Sequence, residues 1–154
     1  MTASAPDVTV RTARTADADR LAALLAGGTL RATEDPHDVT AYRAALDEIA
    51  ATAGNEVLVA EVGGIVVGMC QLITFRHIQE RGGRCAEIES MHVDERLRSS
   101  GIGGVLLEGA VDRARQAGCY RVQLTSNKTR LAAHRFYERH GFTASHEGFK
   151  RYLS

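Results

Sequence analysis

The residues best able to do chemistry in this 154-residue chain fall in one continuous run. An apolar, acidic segment carries Glu87, Glu89, Met91, His92 and Val93; Arg98, Ser99, Ser100, Gly101, Ile102, Gly103 and Gly104 follow. The pattern reads as a strand that enters a glycine-rich loop and then opens a helix. The first N–H groups of a helix have no intrahelical partner, and the helix dipole adds partial positive charge there. Such a junction suits a phosphate or pyrophosphate. It is not a P-loop, because no Lys-Ser or Lys-Thr pair follows the glycines, and its third glycine is misplaced for a dinucleotide fingerprint.

The elements that must position this run can be read on either side of it. Residues 8–14 read as a first strand. A helix over 17–26 carries Leu21, Leu24 and Leu25 at helical spacing and is expected to stop at Gly27-Gly28. After a loop over 29–37, Asp38 can cap a second helix through about Thr52. Two β-branched apolar runs, 56–62 and 65–75, flank Gly63-Gly64, a strong hairpin signal. A polar loop over 76–84 leads to a strand over 85–93. The next helix, 102–117, has its apolar stripe at Ile102, Val105, Leu106 and Ala110 and ends at Gly118. A strand over 120–125, a turn over 127–130, a helix over 131–140 and two short strands, 142–145 and 149–153, complete the chain. This order predicts an α/β sandwich on a mixed sheet.

Composition narrows the class further. Apolar residues make up 44% and charged residues 25%, the balance of an ordinary globular domain. A formal net charge of zero gives no electrostatic case for nucleic acid or a membrane surface as partner. No apolar run reaches the length of a membrane span. Residues 1–7 lack the basic and apolar regions of a signal peptide and are expected to form a disordered lead, with one domain over 8–154. Cys70, Cys85 and Cys119 read as free thiols buried in a reducing cytosol, hence a cytoplasmic protein. The six histidines show no metal-ligand spacing, so no metal is expected.

Arg98-x-x-Gly101-x-Gly103 after a strand resembles the pyrophosphate loop of the GNAT acyl-CoA N-acyltransferases. Residues 132–142, Ala-Ala-His-Arg-Phe-Tyr137-Glu-Arg-His-Gly141-Phe142, resemble that family's late helix. The likeness extends over 8–153, and the tail is similar to small bacterial members that include the aminoalkylphosphonate N-acetyltransferases. The resemblance implies a mixed, mostly antiparallel sheet with helices on both faces. It implies acetyl-CoA as co-substrate and a small-molecule primary amine as acceptor. Arg98 and the N–H groups from Ser99 to Gly104 would hold the pyrophosphate. The backbone of Met91, His92 and Val93 would bond the pantetheine arm, with Asn127 and Arg130 assisting. Glu87 is the expected base and Glu89 the second candidate; strand alternation sets both on one side with Met91 and Val93. Tyr137, whose hydroxyl stays protonated up to about pH 10, is the expected acid. A protein or peptide acceptor and a non-catalytic acyl-CoA-binding module are the alternatives. A homodimer suits the fold, and the sequence does not decide it.

Overall fold

The computed structural model describes residues 7–28 and 35–153. The disordered lead expected over 1–7 falls, except for Asp7, outside the described residues, as does most of the loop over 29–37. By internal contacts the chain divides into two units, Met1–Gln123 and Leu124–Ser154.

In the first unit, β1 (Val8–Thr12) leads through a short 3-10 turn, Thr15–Asp17, into α1 (Ala18–Gly28). Then come α2 (Val39–Ala51), β2 (Asn55–Val62), β3 (Ile65–Arg76), a single turn α3 (Gln79–Gly82), β4 (Arg84–Val93), α4 (Ile102–Gln116) and β5 (Cys119–Leu124). The five strands form one sheet in the order β1-β2-β3-β4-β5. The first three pairings are antiparallel, whereas β4 reaches β5 through the helical crossover α4, which makes the sheet mixed.

Local chemistry explains most boundaries. The Asp38 carboxylate accepts from the Ala41 N–H at 3.3 Å, capping α2. Gly63 and Gly64 both take positive φ (55° and 79°), so Val62 and Ile65 close the β2–β3 hairpin as a pair. The helix expected to stop before Gly27-Gly28 instead runs through both.

Two apolar layers hold the sheet. On one face Val57, Val59 and Met69 pack with Leu21 and Leu24 of α1 and Leu46 of α2. On the other, α4 buries Ile102, Leu106, Leu107, Ala110 and Ala114. This corrects the expected stripe: Val105 is 43% exposed, and Leu107 is buried in its place. Enclosing a leucine such as Leu58, Leu106 or Leu107 contributes about 1.5–3 kcal/mol, against about 0–1 kcal/mol for an exposed ion pair. The apolar layers therefore set the frame that carries β4.

The second unit contains α5 (Leu131–Arg139), stopped at Gly141, whose φ is 83°. The two closing strands expected over 142–145 and 149–153 are not formed; those residues are irregular. A strand exists only through its ladder partner, and alternating apolar residues cannot supply one. Phe149 and Leu153 are 90% and 87% exposed.

Candidate active site

Strand β4 enters the site under strict pairing: Glu87 faces Ile73, Ile88 faces Leu72, and Glu89 faces Gln71 of β3. The next pair on β3 is Met69 with His92. Two residues, Ser90 and Met91, thus stand opposite Cys70 alone, which is a β-bulge. Within it Ser90 takes a positive φ of 52°.

The extra residue shifts the side-chain alternation by one. The expectation that Glu87, Glu89, Met91 and Val93 share a face is corrected on that ground. Through their β3 partners, Glu87, Glu89 and His92 share the face of Ile73, Gln71 and Met69, while Val93, opposite Gly68, turns to the other side. The face of Glu87, Glu89 and His92 is the one on which α1 and α2 pack. A Cβ added at Gly28, the last residue of α1, would fall 2.2 Å from His92 Nδ1, so the helix end and the imidazole fit only because Gly28 lacks a side chain.

Glu87 is half-buried, and its Oε2 accepts from Gln123 Nε2 at 2.9 Å. Sequence reasoning missed Gln123, which belongs to no motif and meets Glu87 only across the β4–β5 boundary of the sheet.

Beyond Val93 the chain is anchored before it reaches the glycines. The Asp94 N–H donates to Val67 O at 2.8 Å. Its carboxylate caps the following 3-10 turn, Glu95–Leu97, by accepting from the Arg96 N–H at 3.1 Å. The Arg96 guanidinium (2.8 Å) holds that carboxyl well below the usual carboxylate range, helped by the Arg96 N–H and by Arg20 from α1 at 3.3 Å. Arg98, exposed, follows the turn. Ser99 has φ 66°, and the Ser100 N–H and hydroxyl both donate to Leu97 O.

Gly101 takes the N-cap position of α4 at φ 87°, with no side-chain cap and open space where a Cβ would stand. The first intrahelical bond runs from the Val105 N–H to Gly101 O at 3.2 Å. The N–H groups of Ile102, Gly103 and Gly104 therefore lie ahead of the helical ladder, at the end of a loop bent by left-handed backbone at Ser99 and Gly101. This donor set fits the pyrophosphate of an acyl-CoA.

The remaining expected residues lie in the second unit. Asn127 Oδ1 accepts from the N–H and hydroxyl of Thr129 (2.9 and 2.8 Å), shaping the turn before α5. Arg130 is exposed at the start of that helix. Tyr137 is half-buried, edge-on to Phe136 and Phe142 at 5.3 and 5.9 Å.

Among the thiols, Cys70 and Cys85 are buried as expected, and burial pushes Cys70 up to about 12; Cys119 is only half-buried. Among the described residues, no helix is long and apolar enough to cross a membrane, and no cluster of potential metal ligands is found. A cleft of about 360 Å³ opens between the C-terminal parts of α2 and α4. Its two charged residues, Glu56 and Arg113, are paired with each other at 2.6 Å.

The chain is similar to several known proteins. Ninety residues are 39% identical to the aminoalkylphosphonate N-acetyltransferase of Salmonella typhimurium, over 58% of this chain and 58% of that one. Glucosamine 6-phosphate N-acetyltransferase 1 of Oryza sativa subsp. japonica is 34% identical over 53% of this chain and 52% of its own. The chain thus spans little more than half the length of these two relatives. The crystal structure of a transcriptional regulator from Bacillus halodurans C-125 superposes with a TM-score of 0.90 at 37% identity, covering 95% of this chain and 99% of that one. Residues 25–142 match the Acetyltransferase (GNAT) family. With a match over well more than half its length, and a bulged acidic strand running into an open helix N-terminus, this chain belongs to the GNAT acetyltransferase family.

Proposed function

We propose that this protein transfers an acetyl group from acetyl-CoA to a primary amine of a small molecule. One observation carries the reading: the uncapped N-terminus of α4 follows, after one 3-10 turn, on a bulged strand that presents Glu87 and Glu89 on one face. A family model over residues 25–142 and two relatives named as small-molecule N-acetyltransferases support it.

In this reading the N–H groups from Ser99 to Gly104 hold the pyrophosphate, and Arg98 adds positive charge. The bulge leaves Ser90 and Met91 opposite a single residue of β3, and those backbone groups of Met91, His92 and Val93 that the β3 ladder does not use would bond the pantetheine amides as an added strand would. Asn127 and Arg130 assist. The amine nitrogen forms the new C–N bond as the thioester C–S bond breaks. Glu87 takes the ammonium proton beforehand, directly or through a water. Glu89 is the alternative base, or a counter-charge to the ammonium. Tyr137 O–H gives its proton to the departing thiolate and regains one from the second proton that the nitrogen loses as the amide forms, directly or through a water.

The names of the two curated relatives share an amine and an anionic phosphorus group. Aminoalkylphosphonates and phosphorylated amino sugars are therefore the first acceptors to try. The name of the Bacillus halodurans relative favours a second reading, an acyl-CoA-binding regulator without turnover. Glu87 and Tyr137 argue against it, since binding alone needs neither. Thiol release from acetyl-CoA with a panel of small amines separates the two: turnover with any of them supports the enzyme, and tight acetyl-CoA binding without turnover supports the regulator.

A further inference from the structure

We propose that Gln123 is a positioning residue for catalysis: it grips one oxygen of Glu87 and orients the carboxylate toward the acceptor amine. This rests on the reading of Glu87 as the base.

Gln123 stands on β5, next to β4 in the sheet. Its two ends meet different partners on the same face of β4. Nε2 lies 2.9 Å from Glu87 Oε2, and Oε1 lies 3.6 Å from Cys85 Sγ. An ionised carboxylate only accepts, whereas a thiol can donate. The amide orientation that satisfies both ends is therefore the one found. Turned over, it would set oxygen against oxygen at Glu87. Cys85 is fully buried, and its one thiol proton has a second acceptor in Ala86 O, also at 3.6 Å.

The grip fixes the rotation of the carboxylate: one lone pair of Oε2 is taken by Gln123, and Oε1 is left open to the amine. The other charged or titratable groups near Glu87 come from several elements. Glu89 and His92 share its face on β4. Arg121, two residues before Gln123, lies beside Cys85. From α1, Arg20 is engaged with Asp94. The partners of Glu87 and Glu89 on β3, Ile73 and Gln71, do not titrate.

The test uses two readouts on wild type, Gln123→Met, Gln123→Glu and Glu87→Gln. The first is carbon-13 NMR titration of the Glu87 carboxyl in the full chain, which needs no acceptor. Gln123→Met keeps the side-chain volume and removes the donor. It should move the Glu87 titration to higher pH by about 0.5–1 pH unit. Gln123→Glu sets a second carboxylate against the first and should move it further in the same direction. The second readout is kcat/KM against pH with acetyl-CoA and 2-aminoethylphosphonate or another acceptor that turns over; its acidic limb should follow the NMR shift. A Glu87 titration unchanged in both Gln123 variants overturns the grip. A shifted titration with an unmoved limb, where Glu87→Gln does abolish that limb, overturns the role in catalysis. A limb that survives Glu87→Gln overturns the base reading itself, and this proposal with it.

Discussion

The glycine loop and the acidic strand before it are adjacent in sequence and are built on different principles. The loop acts through backbone N–H groups. Its shape comes from left-handed backbone at Ser99 (φ 66°) and Gly101 (φ 87°) and from the cap that Asp94 places on the preceding turn. Its own bends and cap lie within a dozen residues, and Val67 and Arg20 add anchors at Asp94 from outside it. The strand acts through side chains. Which of them share a face depends on pairing with β3 and on one extra residue at Ser90–Met91. What Glu87 touches depends on Gln123, thirty-six residues away. A local device can be read from spacing alone, whereas a register-dependent one needs the assembled sheet.

The sharpest way to break the comparison is at Glu87. Glu87→Gln keeps the shape and removes the base, so kcat should fall by roughly 10²–10⁴-fold while acetyl-CoA binding, measured by calorimetry, stays within about twofold, since both groups occupy the same volume. If binding collapses as well, the strand and the loop are not separable. Tyr137→Phe sharpens the same point from the second unit. It should lower kcat by about 10²-fold with little change in binding, read by steady-state kinetics and calorimetry. An unchanged kcat would move the acid to water.

The loop is broken from the other side. Gly101→Val forces a β-branched residue to φ 87°. The strain is about 1–2 kcal/mol, so acetyl-CoA should bind roughly tenfold more weakly. At saturating acetyl-CoA, kcat should be retained, and a fall in kcat with unchanged affinity would contradict the division of labour.

The effect with the least bearing on activity concerns the frame that both regions share. Arg11 on β1 binds the Asp17 carboxylate with both arms, at 2.8 and 3.0 Å, and also reaches Glu61. That guanidinium, with the Arg14 N–H at 2.7 Å, holds the Asp17 carboxyl below its ordinary value. A pKa lowered on folding stabilises the protein above the unfolded value of about 3.9. That contribution is lost as pH falls through the folded value. Asp17→Asn should therefore lower stability at pH 7 by about 1–3 kcal/mol. The gap to wild type should begin to narrow as pH falls below about 4. Denaturant melts at pH 7 and pH 3 check this, and a constant gap would contradict it.

What the sequence disclosed follows the same line. Asp38, Gly63-Gly64, Gly118 and Gly141 mark boundaries because each acts on its own neighbourhood. Arg98 to Gly104 mark the family for the same reason. The bulge was not legible, because Glu89 and Met91 alternate regularly in sequence and only Cys70 across the ladder reveals the extra residue. Gln123 was invisible, because nothing local distinguishes it from any polar strand residue. On α4, Val105 and Leu107 are equally apolar, and only the packing decides that Leu107 turns inward. The tail from Phe149 to Leu153, apolar at both ends and expected as a strand, has no ladder.

The central claim is that Glu87 supplies the base for acetyl transfer from a cofactor held by the Gly101 loop. Its most direct test is thiol release from acetyl-CoA with aminoalkylphosphonates, phosphorylated amino sugars and other small primary amines, run on wild type beside Glu87→Gln. We expect turnover in wild type and its loss, by at least about 10²-fold, in the variant. Equal turnover in the two proteins would contradict the assignment of Glu87, and acetyl-CoA binding with no turnover on any amine would contradict catalysis of small-amine acetylation.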